Sequence, residues 1–106
     1  MNGRFVLFDF VDFKDVPGET GGHDLKLFAL STCGFCKRAI AFLNEHKAGY
    51  SFVYIDKIPR SEKKRIKDEF FERFQTTMLY PTMIVDGEDF LIGFIEESWK
   101  TVLGLK

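Results

Sequence analysis

Cys33 and Cys36 are the only two cysteines of the 106-residue chain, and just Gly34 and Phe35 stand between them. An apolar run, Leu25 to Leu30, leads into the pair, and a helix-like run follows it. That placement suits thiol–disulfide exchange. The reacting species is a thiolate, and the unpaired N–H groups and dipole of a helix N-terminus lower a thiol's pKa. Cys33 falls where those N–H groups point. Two other uses fit the pair less well. A structural disulfide stabilises mainly by closing a long loop in the unfolded chain, and two intervening residues close almost none. Structural zinc takes four ligands, and the chain adds only His23 and His46, far apart and flanking the motif.

The elements that must position this pair fit one small core. With 45% hydrophobic residues, thirteen phenylalanines and a formal charge of −1, the chain has material for a single domain, residues 1–106. No basic stripe dominates, so nucleic acid is not an expected partner. Met1 to Phe13 carries Asp9 and Asp12 inside its apolar run with no small-residue cleavage site after it, which does not read as a signal peptide. No run of about 18 apolar residues could cross a bilayer. The expected location is the cytoplasm, where a lone cysteine pair is more often catalytic than structural.

Arg4 to Phe13 is dense in aromatic and β-branched residues and predicts a strand. Lys14 to Asp24, with Pro17, Gly18, Gly21 and Gly22, predicts a loop. Leu25 to Leu30 predicts a buried strand, and Gly34 to Lys47 a helix with Ala39, Ile40, Phe42 and Leu43 on its apolar side and Gly49 as its stop. Ser51 to Asp56 alternates as a strand, Pro59 breaks the chain, and Ser61 is placed to cap a second helix that buries Ile66, Phe70 and Phe74. Thr82 to Asp86 and Phe90 to Phe94 form a hairpin across Asp86-Gly87, and a last helix runs from about Glu96 to Leu103. His23 and His46 are not expected to be catalytic, and Trp99 and Met78 read as core or lid.

From Leu25 onward, about three quarters of the chain, the sequence resembles the glutaredoxins of the thioredoxin-fold superfamily. Thr32-Cys33-Gly34-Phe35-Cys36-Lys37, Tyr80-Pro81-Thr82 and Asp86-Gly87 followed by Ile92-Gly93 carry the resemblance. It implies an α/β, thioredoxin-like core of order β-α-β-α-β-β-α, with a mixed four-stranded sheet flanked by helices. Residues 25–106 form that core and residues 1–24 add the extra N-terminal strand and loop. The extra strand is expected to extend the sheet beside Leu25 to Leu30 and cover an edge, or else to offer its phenylalanines for association.

The resemblance further implies a dithiol oxidoreductase in which Cys33 is the nucleophile and Cys36 the resolving thiol. Pro81 is then the residue held in cis opposite the cysteines. Thr32, Phe35, Lys37, Tyr80, Pro81, Gly93, Phe94, Glu96 and Glu97 would contact substrate or glutathione, with the two glutamates receiving the glutathione amine. No metal and no tightly bound cofactor is implied. Glutathione is the expected co-substrate, disulfide-containing proteins or glutathione-mixed disulfides the expected partners, and a monomer the expected state.

Two departures bear on the electron source. Many glutaredoxins have a lysine three residues before the nucleophile that holds a glutathione carboxylate, and here that residue is Leu30. Phe94 replaces the usual second glycine, with a ring that narrows the groove. Gly93-Phe94 also resembles the redoxins that serve ribonucleotide reductase and are reduced by thioredoxin reductase. An iron–sulfur cluster carrier, using Cys33 with external glutathione, is a third reading, although Cys36 competes by forming an internal disulfide. Lys37 reads either as a replacement for the lost charge or as a solvated lysine, and Phe35 either as a substrate contact or as packing. The cations Arg60, Lys63, Lys64, Arg65 and Lys67 read either as a site for an anionic patch on a partner protein or for the glutathione carboxylates, or as a solvated face.

Overall fold

The computed structural model describes residues 7–19 and 22–104, and a five-stranded sheet organises them in the order β1-β3-β2-β4-β5. The strands are β1 Lys14–Val16, β2 Leu25–Ala29, β3 Tyr50–Tyr54, β4 Thr82–Val85 and β5 Asp89–Ile92; the helices are α1 Gly34–Glu45, α2 Arg60–Phe74 and α3 Glu96–Leu103. β2 and β3 are parallel, and the other three pairings are antiparallel. β2 is central and covered on both faces. Leu25, Leu27 and Ala29 join Met83 and Val85 in a core with Ala39, Phe42 and Leu43 of α1 and Trp99 and Leu103 of α3. Phe28 and Ile84 point the other way, toward Ile66 and Phe70 of α2. The alternation is the period of two that a pleated strand imposes.

This arrangement gives the molecule an active pole. The C-terminal ends of β2, β3 and β5 and the N-terminal end of β4 lie together there, and α1 starts from it. α2 runs away from that pole, because its far end brings Arg73 to the carbonyl of Gly87 in the β4–β5 turn at 3.4 Å. In that turn Asp86 and Gly87 both have positive φ, 55° and 69°, and Glu88 N–H returns to the Val85 carbonyl at 3.1 Å. Helix α1 ends sooner than expected, at Glu45, where Lys47 adopts φ 56° and Ala48 N–H closes on the Leu43 carbonyl at 2.9 Å. Gly49 serves instead as a close-approach residue, lying against Gly18 of the incoming loop. Ser61 does not cap α2. The helix starts at Arg60 after Pro59 with no side-chain cap. Ile66 and Phe70 are buried as expected, and Phe74 is half-buried.

The N-terminal expectation needs correction. Residues 4–6 of the expected strand lie outside the described residues, 7–10 form a turn, and 11–13 have no regular structure. The rings of Phe8 and Phe13 lie 4.8 and 5.5 Å from the same Phe28 ring. An extended strand would separate those two residues by about 17 Å, so convergence on one ring favours a compact turn. Phe8 N–H donates to Glu69 Oε1 at 3.2 Å, and the Arg65 guanidinium sits 3.9 Å from the Phe10 ring. The edge strand is instead β1, inside the expected loop, and it pairs with β3 rather than with β2. Phe8→Ala is expected to lower the unfolding free energy by about 3 kcal/mol in a urea titration. A loss below about 0.5 kcal/mol would mean that residues 7–13 do not belong to the core.

Candidate active site

Strand β2 delivers the chain to the site, and a tight turn reverses it. Cys33 N–H donates to the Leu30 carbonyl at 3.2 Å, so residues 30–33 form a four-residue turn directly before α1. Cys33 is the N-cap of that helix, with extended backbone (φ −92°, ψ 123°), and its Sγ accepts the Cys36 N–H at 3.3 Å. The first turn of α1 contains no acidic residue to compete for the helix N–H groups. A thiolate here therefore meets donors that would otherwise lack an intrahelical partner.

The two thiols differ sharply. Cys33 is partly exposed, and Cys36 is fully buried. Burial pushes the Cys33 thiol up. Hydrogen bonds from the Cys36 thiol and from the N–H groups of Cys36 and Phe35 outweigh that push and leave it below its ordinary value. Burial pushes the Cys36 thiol up to about 12, helped by its hydrogen bond to Cys33, the charge of Cys33 and that of Asp56; the Leu30 N–H, 3.4 Å from Cys36 Sγ, offsets part of this. One thiol is thus held toward thiolate, and the other is held protonated.

Across from the cysteines, the Tyr80–Pro81 bond is cis, and Gly93 N–H donates to the Pro81 carbonyl at 2.7 Å. The hydroxyl of Thr82 donates to the Leu79 carbonyl. Tyr80, Pro81 and Gly93 therefore sit together at the active pole. Among the described residues, neither the backbone N–H nor the C=O of Tyr80 is hydrogen-bonded, and its buried hydroxyl has no partner. Burial, and then the negative charge of Cys36, raise the Tyr80 phenol above its ordinary value.

Phe94 is half-buried, with its ring 5.5 Å from Phe42 and 5.2 Å from Trp99. Trp99 Nε1–H in turn donates to the Gly93 carbonyl at 3.1 Å, which ties the Gly93 loop to the core. Glu96 and Glu97 occupy the first turn of α3, and Glu96 pairs with Lys100 at 3.3 Å. Thr32 and Lys37 are exposed at the start of α1. Phe35 is 60% exposed, and the Arg38 guanidinium lies 5.6 Å from its ring. The described residues contain no cluster of three His, Cys, Asp or Glu side chains able to hold a metal.

One contact at the site was not anticipated. Asp56 accepts both the N–H of Ser31 at 2.9 Å and its hydroxyl at 2.5 Å. Those hydrogen bonds to Ser31 hold the Asp56 carboxyl below its ordinary range. Asp56 thereby grips the turn that carries both cysteine contacts. The parallel register, Ala29 opposite Tyr54, places Ser31 and Asp56 two residues beyond a matched pair. That register is a tertiary feature that the residues of neither strand encode.

The glutaredoxin family model matches residues 25–90. Among solved structures, a glutaredoxin from Methanosarcina mazei Go1 is 25% identical with a TM-score of 0.75, over 88% of this chain and 88% of that one. Methanosarcina acetivorans methanoredoxin is 24% identical with a TM-score of 0.69, over 77% of this chain and 85% of its own. A glutaredoxin from Archaeoglobus fulgidus is 24% identical with a TM-score of 0.67, over 95% and 97%. These last two likenesses are of fold. No curated protein sequence matches the chain.

Because the Cys36 thiol is a donor to Cys33, Cys36→Ala is expected to raise the pH midpoint of Cys33 alkylation by iodoacetamide, and Cys36→Ser, which keeps a donor, to raise it less. Equal midpoints in all three proteins would remove Cys36 from the causes of Cys33 acidity.

Proposed function

The chain belongs to the glutaredoxin family of thiol–disulfide oxidoreductases, and from that premise we propose that Cys33 is its nucleophile, Cys36 its resolving thiol and glutathione its reductant. The observation that carries this reading is the helix-capping position of Cys33, with Cys36 N–H 3.3 Å from its sulfur. In the first step the Cys33 thiolate attacks one sulfur of a disulfide. A new S–S bond forms, the old one breaks, and its electron pair leaves on the other sulfur as a thiolate. In the second step Cys36 loses its proton and attacks Cys33 Sγ, releasing the substrate's remaining sulfur and leaving a Cys33–Cys36 disulfide. The substrate has then gained two electrons and two protons. Two glutathione molecules return them to the enzyme and become glutathione disulfide.

The high pKa of Cys36 does not obstruct this cycle. Two of the causes that hold it up are its hydrogen bond to Cys33 and the charge of Cys33. Both vanish once Cys33 is in the mixed disulfide, so Cys36 becomes more acidic at the step that needs its thiolate. The lowered pKa of Cys33 speeds attack by less than the gain in thiolate, because nucleophilicity falls with basicity (Brønsted coefficient about 0.4–0.5), and it makes Cys33 a better leaving group. That combination supports reversible exchange.

Substrate recognition in this reading uses the backbone N–H and C=O of Tyr80, which can pair with an extended substrate segment, beside cis Pro81. Glu96 and Glu97 would receive the glutathione amine, and Thr32, Phe35, Lys37, Gly93 and Phe94 would line the rest of the groove. A second reading, reduction by thioredoxin reductase, draws support from two residues. Leu30 stands where a carboxylate-holding lysine would be expected, and it packs against the core. The Phe94 ring is fixed between Phe42 and Trp99.

NADPH consumption with a small disulfide, coupled either to glutathione and glutathione reductase or to thioredoxin reductase, separates the two readings. Turnover with glutathione is expected; turnover with thioredoxin reductase alone would replace it with the second. Cys33→Ser is expected to abolish activity. Cys36→Ser is expected to retain reduction of glutathione-mixed disulfides while losing at least about tenfold on protein disulfides. Survival of activity in Cys33→Ser would overturn the assigned roles.

A further inference from the structure

We propose that the N-terminal half of α2 docks an acidic stretch of the polypeptide whose disulfide is attacked, an inference that rests on the thiol–disulfide reading of Cys33 given above. Arg60, Lys63, Lys64 and Lys67 recur along one face of the helix at three- and four-residue spacing. They line, with Asp68, a concavity of about 380 Å³. Asp68 engages Lys64 at 2.8 Å. Arg65 is turned to Glu69 and the Phe10 ring instead. Among the described residues the side chains of Arg60, Lys63 and Lys67 make no ion pair or hydrogen bond.

The position of this patch ties it to the active site. Asp56, four residues before Arg60, is bonded to Ser31, which stands two residues before Cys33. α2 leaves the active pole at Arg60 and ends at the opposite pole. The unpaired cations therefore occupy the half of the helix nearest the cysteines, while Glu69 and Glu72 follow in the other half. Positive side chains there oppose the helix dipole, and Glu62 is the sole acidic residue of the first turn. An anionic partner relieves both the dipole penalty and the mutual repulsion.

The chemistry favours a polypeptide over a small anion. Arg60 to Lys67 covers about 10 Å of helix axis, which an extended segment of roughly three or four residues spans. Phe35 and Leu79, 60% and 59% exposed, flank the cysteines and the Tyr80–Pro81 turn and give such a polypeptide an apolar contact as well.

The test uses the full chain labelled with ¹⁵N and two peptides that differ in one tract, four glutamates or four glutamines, beside a pair of serines that replace the disulfide. The glutamate peptide is expected to shift the amides of residues 60–67 and to bind at least about fivefold more tightly than the glutamine peptide, an advantage lost in about 0.5 M NaCl. Lys63→Gln/Lys67→Gln is expected to abolish that preference. Equal binding of the two peptides, shifts confined to other elements, or the same shifts with glutathione disulfide at equal concentration would overturn the proposal. The disulfide forms of both peptides complete the test. Turnover without any glutamate preference overturns the docking surface alone, whereas α2 shifts without turnover uphold docking and overturn the thiol–disulfide reading.

Discussion

The N–H groups at the start of α1 meeting the Cys33 sulfur constitute the contact on which the rest of the structure depends. That contact exists only if a helix begins immediately after Cys33 and points its first turn at the active pole. β2, buried on both faces, fixes the approach; the 30–33 turn sets the reversal; and α1, anchored through Ala39, Phe42 and Leu43, fixes the direction. Asp56, in the 3-10 turn just past the end of the neighbouring parallel strand, adds a tether to the middle of the 30–33 turn. Each of these elements has an ordinary structural explanation. Their convergence within four residues of one sulfur is what turns a fold into a site.

A second consequence of the same geometry is the division of labour between two chemically identical side chains. Cys33 stands at the cap, where N–H groups are available. Cys36 lies one helical turn further on, inside the core, where burial dominates and its thiol serves as a donor to Cys33. The asymmetry follows from a spacing of three, since a full helical turn carries the chain from the rim to the interior. Cis Pro81 and Gly93 are tied through the Trp99 indole to the same core that anchors α1.

Much of this was legible in the residues. The helix from Glu96 to Leu103, the strand after Asp24, the β4–β5 hairpin and the placement of Cys33 at a helix start all follow from local patterns of apolar residues, glycine and proline. What was not legible depended on tertiary partners. Arg4 to Phe13 has strand-like composition, but residues 7–13 instead gather Phe8 and Phe13 onto Phe28 and set Phe10 under Arg65, contacts that no local pattern encodes. The short β1 arose in a segment whose glycines and proline suggested only a loop, because the open edge of β3 supplied its hydrogen bonds. Phe94 suggested a bulky ring beside the site, and its contacts with Phe42 and Trp99 became evident only from the positions of those two rings. The Ser31–Asp56 contact needed the parallel register of β2 and β3.

The claim most central to this account is that one fold separates the acidities of two neighbouring thiols. A pH titration of the reduced chain with ¹³Cβ-labelled cysteine, followed by NMR, reads each thiol individually. Two well-separated steps are expected, with Cys33 titrating below its ordinary value and Cys36 pushed up to about 12. Two resonances moving together near the free-thiol value would contradict that claim.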